Sequence, residues 1–179
     1  PLSSKKYSKN LSNTVSVLFD KENFKLDAGV RHQLIKLGIG AALPSSLNIP
    51  QEISENRIGA VGNLQIKLWD KIALNSNLEF SNGNEFGTFL RSQNLMKFEP
   101  VEGYFVNAKV NFQSASPTFN LLVNPSVYRQ FNYYFDNPNN ETITEIGGDI
   151  NLKWFQSKAF ANYFRIDNYT YLDSAAKPQ

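Results

Sequence analysis

The residues of this 179-residue chain that could do chemistry are polar side chains at every second position of strand-like segments. Many of them are amides, and the others are charged residues of both signs. Because amides replace the hydrogen bonds of water without adding a strong field, they could line a hydrated, weakly selective pore. The same row would also suit the solvated face of a water-soluble sheet. The candidate lumen-facing residues are Lys25, Asp27, Arg31, Gln65, Lys67, Asn75, Asn77, Glu79, Asn107, Lys109, Asn111, Gln113, Asp149, Asn151, Lys153, Arg165 and Asp167.

Other chemical motifs are scarce. The chain has one histidine, His32, and no cysteine, so a disulfide framework or a thiolate metal site has no ligands. His32 is in phase with Leu34, which predicts an interfacial or packed side chain on the apolar side of its strand. The pair Gly147-Gly148 lies inside a strand pattern and indicates a bulge or a close backbone approach rather than a phosphate site. We predict no enzymatic activity and no cofactor.

The candidate residues are positioned by period-two patterns, whereas helix-period patterns are hard to find. The pattern is clearest at 103–113, where Tyr104, Val106 and Val110 share one face and polar residues, three amides and Lys109, share the other. The extended region 118–135 forms one strand or two, and the sequence leaves this open. The other predicted strands are 14–19, 23–37, 56–69, 72–81, 85–98, 103–113, 142–155 and 159–172.

The domain organisation follows from the same patterns. We expect residues 1–179 to form a single β-barrel domain or part of one, with 1–12 irregular and 38–55 a long loop containing Pro44 and Pro50. Both ends of the chain are polar, and we expect the chain to be a piece of a longer protein.

The predicted strands of 10–15 residues are long for a β-sandwich, in which strands of about five or six residues are usual. They suit a transmembrane barrel, whose tilted strands need roughly 9–11 residues each. The sequence therefore predicts an all-β fold, an antiparallel transmembrane β-barrel or an arc of a larger one, with up-and-down meander topology. Aromatic residues near the predicted strand ends, at interfacial positions, are Phe24, Trp69, Phe80, Phe86, Phe98, Tyr104, Phe112, Phe119, Phe135, Trp154, Tyr169 and Tyr171.

Charge and hydropathy restrict the partners. The net charge is +2, and the 18 Lys and Arg residues are spread along the chain and form no cluster. A nucleic-acid interface needs basic residues gathered on one surface, so we predict no nucleic-acid partner. The sequence contains no run of about eighteen apolar residues, the length that a membrane-spanning helix requires.

Four segments carry a family resemblance: FKLDAGVRHQLIKLG (24–38), LNSNLEFSNGNEFG (74–87), NPSVYRQFNYYFDNPNN (124–140) and ANYFRIDNYTYLDSAAKPQ (161–179). In these segments the chain resembles the putative porin family of Bacteroidetes, the long outer-membrane β-barrels of flavobacteria and their relatives. The resemblance implies a bacterial outer-membrane location and no catalytic residues. It also implies the lipid bilayer as partner, with other outer-membrane proteins of a complex as further candidates.

Three functions remain open from the sequence. The first is a porin-type barrel that allows passive diffusion of small solutes, and the second is a barrel with a structural role in an envelope complex. The third is a soluble all-β ligand-binding module, a carbohydrate binder whose aromatic residues stack on sugars.

Overall fold

The computed structural model describes residues 6–40, 49–117, 122–124, 133–134, 139–152 and 156–171. Its strands are β1 (Lys6–Lys21), β2 (Phe24–Ile39), β3 (Glu52–Leu68), β4 (Ile72–Gly83), β5 (Thr88–Val101), β6 (Tyr104–Ala115), β7 (Val123–Asn124), β8 (Tyr133–Tyr134), β9 (Glu141–Leu152) and β10 (Ser157–Asp167).

Eight strands form one antiparallel sheet in the order β1-β2-β3-β4-β5-β6-β9-β10. The short strands β7 and β8 pair with each other in a separate sheet, and β9 pairs directly with β6. The all-β fold with up-and-down topology is therefore confirmed. Within the described ranges, β1 and β10 are the outer strands and do not pair with each other, so the sheet is an open arc.

Tight turns join the strands at one end of the sheet. Trp69 and Asp70 both have positive φ, 49° and 54°, as a type I′ hairpin turn requires, and this turn type matches the twist of the flanking strands. Gly103 supplies a φ of 82° between β5 and β6. The connections at the opposite end, 40–51, 84–87 and 116–140, are longer. Short turns at one end and longer connections at the other are typical of outer-membrane barrels.

The sheet has two faces of opposite character. Residues directly opposite each other in an antiparallel pair project to the same side, so the register assigns every strand residue to a face. The apolar face contains Val15, Val30, Ile58, Leu64, Leu78, Phe80, Met96, Val106, Val110, Ile146 and Ile150. The polar face contains Lys25, Arg31, Asn63, Gln65, Asn77, Glu79, Gln93, Lys109, Asn111, Glu145 and Asp149.

The apolar face is exposed. Val15 is 73% exposed, Ile58 68%, Val110 48% and Ile146 50%. The described residues include a few buried hydrophobic side chains, Ile39, Ile53, Leu122 and Val123, which form one small cluster. A soluble sandwich buries the apolar side of its sheets against a second layer. The described part of this chain has the opposite arrangement.

Within the described ranges, the structure contains no helix that is both long enough and apolar enough to cross a membrane.

Some predicted boundaries are wrong. Residues 6–12, expected to be irregular, form the first part of β1, because their backbone pairs with 33–39 of β2. The predicted loop 38–55 is shorter, since β2 continues to Ile39 and β3 begins at Glu52. The strand predicted at 85–98 begins at Thr88, and the last strand ends at Asp167 rather than at 172. Most of 118–135 lies outside the described residues.

Candidate functional site

A row of amides crosses the middle of the polar face. Asn63 lies opposite Asn77, Asn77 opposite Gln93, and Gln93 opposite Asn111, so one amide stands on each of β3, β4, β5 and β6. We call these four residues the amide row. Each amide both donates and accepts hydrogen bonds, so the row offers a continuous substitute for water across four strands.

Ion pairs neutralise several charges of the polar face. Arg31 Nη1 lies 2.6 Å from Glu79 Oε1, and Lys109 Nζ lies 2.5 Å from Glu145 Oε1. Asn111 of the amide row donates a hydrogen bond to Glu145 Oε2 at 2.7 Å. Because opposite charges lie so close together, the net field of this surface is weak at distances beyond a few ångströms.

A buried carboxylate lies at one end of the polar face. Glu55 on β3 is fully buried and receives hydrogen bonds from Arg57 Nε at 2.7 Å and from the backbone N–H of Glu85 at 2.7 Å. The N–H of Phe86 also points to Glu55, at 3.4 Å. The connection between β4 and β5 is therefore held against the polar face by a charged acceptor.

The small hydrophobic cluster lies next to Glu55. Leu122 and Val123 pack with Ile39 and Ile53, two side chains of the polar face, and Phe86 packs against the same cluster. The ammonium of Lys6 donates to the carbonyl oxygen of Val123 at 2.6 Å. Leu122 and Val123, which follow β6 in the chain, thus cover part of the polar face at this end.

Within the described ranges, no group of three or more His, Cys, Asp and Glu side chains is arranged to hold a metal ion.

Comparison with known proteins assigns the family. A family model described as "Putative porin" matches residues 2–179. The chain belongs to this family. The resemblance to a putative porin family, inferred from four sequence segments, is therefore confirmed over residues 2–179. No curated protein and no solved structure gives a match.

The structure of this porin-family chain places most of the candidate lumen-facing residues on one face. The register assigns the following to the polar face: Lys25, Asp27, Arg31, Gln65, Lys67, Asn75, Asn77, Glu79, Asn107, Lys109, Asn111, Gln113, Asp149 and Asn151. Lys153 lies outside the described residues. That this face borders a lumen remains a prediction.

Arg165 and Asp167 were wrongly grouped with these residues. They lie opposite Thr144 and Thr142 of β9, and therefore on the apolar face. Arg165 Nε is 2.9 Å from Asp167 Oδ2, so the two charges pair with each other. Their partners on β9 are threonines, which lie closer to the end of that strand than its apolar residues Ile146 and Ile150. Polar side chains are expected at that end of the apolar face.

His32 lies on the apolar face as predicted, in phase with Leu34. Its Nε2 is 2.9 Å from Asn56 Oδ1 on the neighbouring strand. The imidazole therefore has a polar partner at the edge of the apolar surface, which suits an interfacial side chain.

Sequence reasoning missed several residues of the polar face, among them Asn63, Gln93, Glu145, Phe160 and Phe164. Alternation within 88–97 could have identified Gln93, which is in phase with Arg91. The two phenylalanines carried no such signal, because an aromatic residue on a strand is ordinarily assigned to the apolar side.

Proposed function

We propose that this protein is a porin-type β-barrel of the bacterial outer membrane, through which small solutes diffuse passively. The polar face borders the lumen, and the apolar face contacts the lipid bilayer. The observation that carries the proposal is the exposure of an apolar face on an eight-stranded sheet whose opposite face carries amides and charged residues of both signs. Membership of the putative porin family supports it.

Three polar side chains in the middle of the apolar face, Ser76, Ser92 and Asn94, also suit contact with lipid. Ser76 Oγ donates to Asn94 Oδ1 at 2.6 Å, and Asn94 Nδ2 donates to the Val110 carbonyl at 3.0 Å and to Ser92 Oγ at 2.9 Å. Polar groups in hydrocarbon have no water to bond, so they must find partners in the protein. This cluster supplies such partners.

Aromatic residues stand near the strand ends of the apolar face, as in the interfacial girdles of outer-membrane barrels. Phe24, Phe98 and Tyr104 lie next to the tight turns, and Phe80 lies toward the other end of β4. Phe86 does not belong to this group, because it packs against the buried cluster. Phe119, Phe135 and Trp154 lie outside the described residues.

The charge arrangement favours weak ion selectivity. The amide row binds water or solute hydroxyls without favouring either sign of ion, and the pairs Arg31–Glu79 and Lys109–Glu145 cancel much of the local field. We therefore expect a passage that admits small polar solutes with little preference for charge.

A structural role in an envelope complex is the second candidate. The packing of Leu122 and Val123 over one end of the polar face favours it, because this packing narrows the space that solutes would use. Other outer-membrane proteins would then be the partners. A soluble binding module suits the structure less well, since it would expose the whole apolar face to water.

Conductance tests the proposal. The native protein, extracted from the outer-membrane fraction and reconstituted in planar bilayers, should give stepwise currents in KCl. The reversal potential in a KCl gradient should lie near zero. A protein that inserts fully and conducts nothing would support the structural role instead. A protein that stays monomeric in buffer without detergent would contradict both membrane functions.

A further inference from the structure

Two exposed aromatic side chains of β10 stand on the polar face, where the alternation pattern does not expect them. Phe160 on β10 lies opposite Asp149, and Phe164 lies opposite Glu145. Phe160 is 75% exposed and Phe164 is 60% exposed. An exposed aromatic ring among hydrogen-bonding groups is unfavourable in water unless an apolar surface covers it.

Each phenylalanine borders a cavity on this face. The larger cavity has a volume of about 350 Å³ and is lined by Phe160, Asn162, Lys158, Asp149, Asn107 and Lys109. The smaller, about 170 Å³, lies beside Phe164, Glu145, Asn111 and Arg91. A ligand site typically combines an apolar wall with a few convergent polar groups in a volume of about 300–1,000 Å³. The larger cavity has this composition and size.

Gly147 makes room for the polar side chains of the larger cavity. A Cβ at this position would clash with Asn162 Oδ1 and would lie 2.9 Å from Lys109 Cε. Because Gly147 has no Cβ, the side chains of Asn162 on β10 and Lys109 on β6 can both lie close to it on β9, the strand between them. Of the bulge or close backbone approach predicted for the Gly147-Gly148 pair, the close approach is found at Gly148, where a Cβ would lie 2.6 Å from the Asn107 carbonyl oxygen, and the strand pairing is continuous there.

The charges at the larger cavity are paired. Lys109 Nζ lies 2.5 Å from Glu145 Oε1, and Lys158 Nζ lies 3.5 Å from Asp149 Oδ2. Asn107 Nδ2 also donates to Asp149 Oδ2 at 3.0 Å. An ionic ligand would compete with these pairs, whereas a neutral ligand can bind beside them. The cavity therefore suits an uncharged solute with many hydroxyl groups.

We propose that Phe160 and the polar residues around it form a binding site for neutral carbohydrates, with Phe164 extending it along β10. The C–H face of a sugar ring covers the phenyl ring, and Asn107 and Asn162 bind its hydroxyl groups. This site rests on the proposed function, because solutes must reach the polar face. It adds neutral carbohydrates as the preferred substrate class of the proposed passage.

The test measures binding of maltotriose to the detergent-solubilised native protein by titration calorimetry. Sorbitol, which has hydroxyl groups but no rigid ring, is the control ligand. Phe160→Ala should weaken maltotriose binding about tenfold, whereas Phe160→Trp should stay within about twofold of the wild type. Phe80→Ala, which truncates a phenylalanine of the apolar face, should leave the affinity unchanged.

A second variant tests the proposal if Phe160→Ala does not fold. Asn162→Ala removes a hydrogen-bonding group from an exposed strand and should weaken maltotriose binding about fivefold. The proposal is overturned if maltotriose does not bind, if sorbitol binds equally well, or if Asn162→Ala and whichever Phe160 variant folds bind like the wild type. It is also overturned if Phe160→Ala only lowers the thermal unfolding temperature, since the ring then packs against another part of the barrel.

Conductance separates this proposal from the proposed function. Currents that maltotriose does not block, from a protein that does not bind it, would refute the sugar site and leave passive diffusion standing. Binding of maltotriose by a fully inserted protein that conducts nothing would refute passive diffusion and leave the sugar site standing.

Discussion

Arg31 on β2 and Glu79 on β4 form an ion pair across the strand that separates them, with Arg31 Nη1 2.6 Å from Glu79 Oε1. The residue of β3 opposite Arg31 is Gly59, which has no side chain to block the guanidinium. The Arg31 side chain also donates to Thr14 on β1 at 3.1 Å. Arg31 therefore links the polar faces of β1, β2 and β4 across Gly59 of β3.

This pair should control ion preference in the proposed passage. Glu79→Gln leaves the Arg31 charge without its partner, so the reversal potential in a KCl gradient should shift toward anion selectivity. Arg31→Gln should shift it toward cations, since Glu79 is then uncompensated. The double variant should return close to the wild-type value. Equal reversal potentials in all four proteins would show that the pair does not face the conducting path.

The apolar face can be tested with a charge. Val110 lies opposite Ile146 in the apolar surface, and Val110→Arg near a bilayer midplane should cost about 2–4 kcal/mol of unfolding free energy. Asn111→Arg is the matched control, because the neighbouring side chain points to the polar face beside Glu145. Urea unfolding in lipid vesicles measures both. An equal, small loss for the two variants would contradict the assignment of faces.

The buried Glu55 carboxylate should hold the connection between β4 and β5. Glu55→Ala removes the acceptor of the Glu85 amide and leaves Arg57 without its partner, so the unfolding free energy should fall by about 3–5 kcal/mol. Hydrogen exchange at the amides of Glu85 and Phe86 should become faster in this variant. Glu52→Ala, at an exposed acid of the same strand, should leave those two exchange rates as they are. Unchanged protection in Glu55→Ala would refute the anchoring role.

The pH response of Glu52 depends on Tyr7. Both residues lie beyond the apolar part of their strands, near Lys36. The Tyr7 hydroxyl donates to Glu52 Oε2 at 2.8 Å, and Lys36 Nζ lies 3.3 Å from Oε1. The Tyr7 hydrogen bond, followed by that of Lys36, lowers the pKa of the Glu52 carboxyl below its ordinary value. The stabilisation from these contacts is therefore present at neutral pH and is lost as the pH falls through the folded-state pKa.

Tyr7→Phe should raise the Glu52 pKa toward its ordinary value, because it removes the hydrogen bond with the largest single effect, and Lys36→Gln should also raise it, because it removes a positive charge. Titration of the Glu52 side-chain carboxyl carbon by NMR in detergent micelles measures both pKa values. A Tyr7→Phe protein with the wild-type Glu52 pKa would show that the hydrogen bond does not form in solution.

The sequence determined which residues of a single strand share a side. The alternation at 103–113 placed Val106 and Val110 on one face of the strand and Asn107 and Asn111 on the other, and the register agrees. Strand length and the absence of helix periodicity were also enough to predict the all-β meander. These are local properties, because successive side chains of an extended backbone point to opposite sides whatever the neighbouring strand is.

The tertiary structure decided how the strands align. Arg165 and Asp167 alternate as regularly as Asn107 and Lys109, yet pairing with β9 places them on the apolar face and places Phe160 and Phe164 on the polar face. The amide row likewise exists only because Asn63, Asn77, Gln93 and Asn111 share one register level. A shift of one residue in pairing moves every side chain of a strand to the other face. That choice depends on backbone hydrogen bonds between neighbouring strands and on the connection that joins them, which the alternation within one strand does not encode.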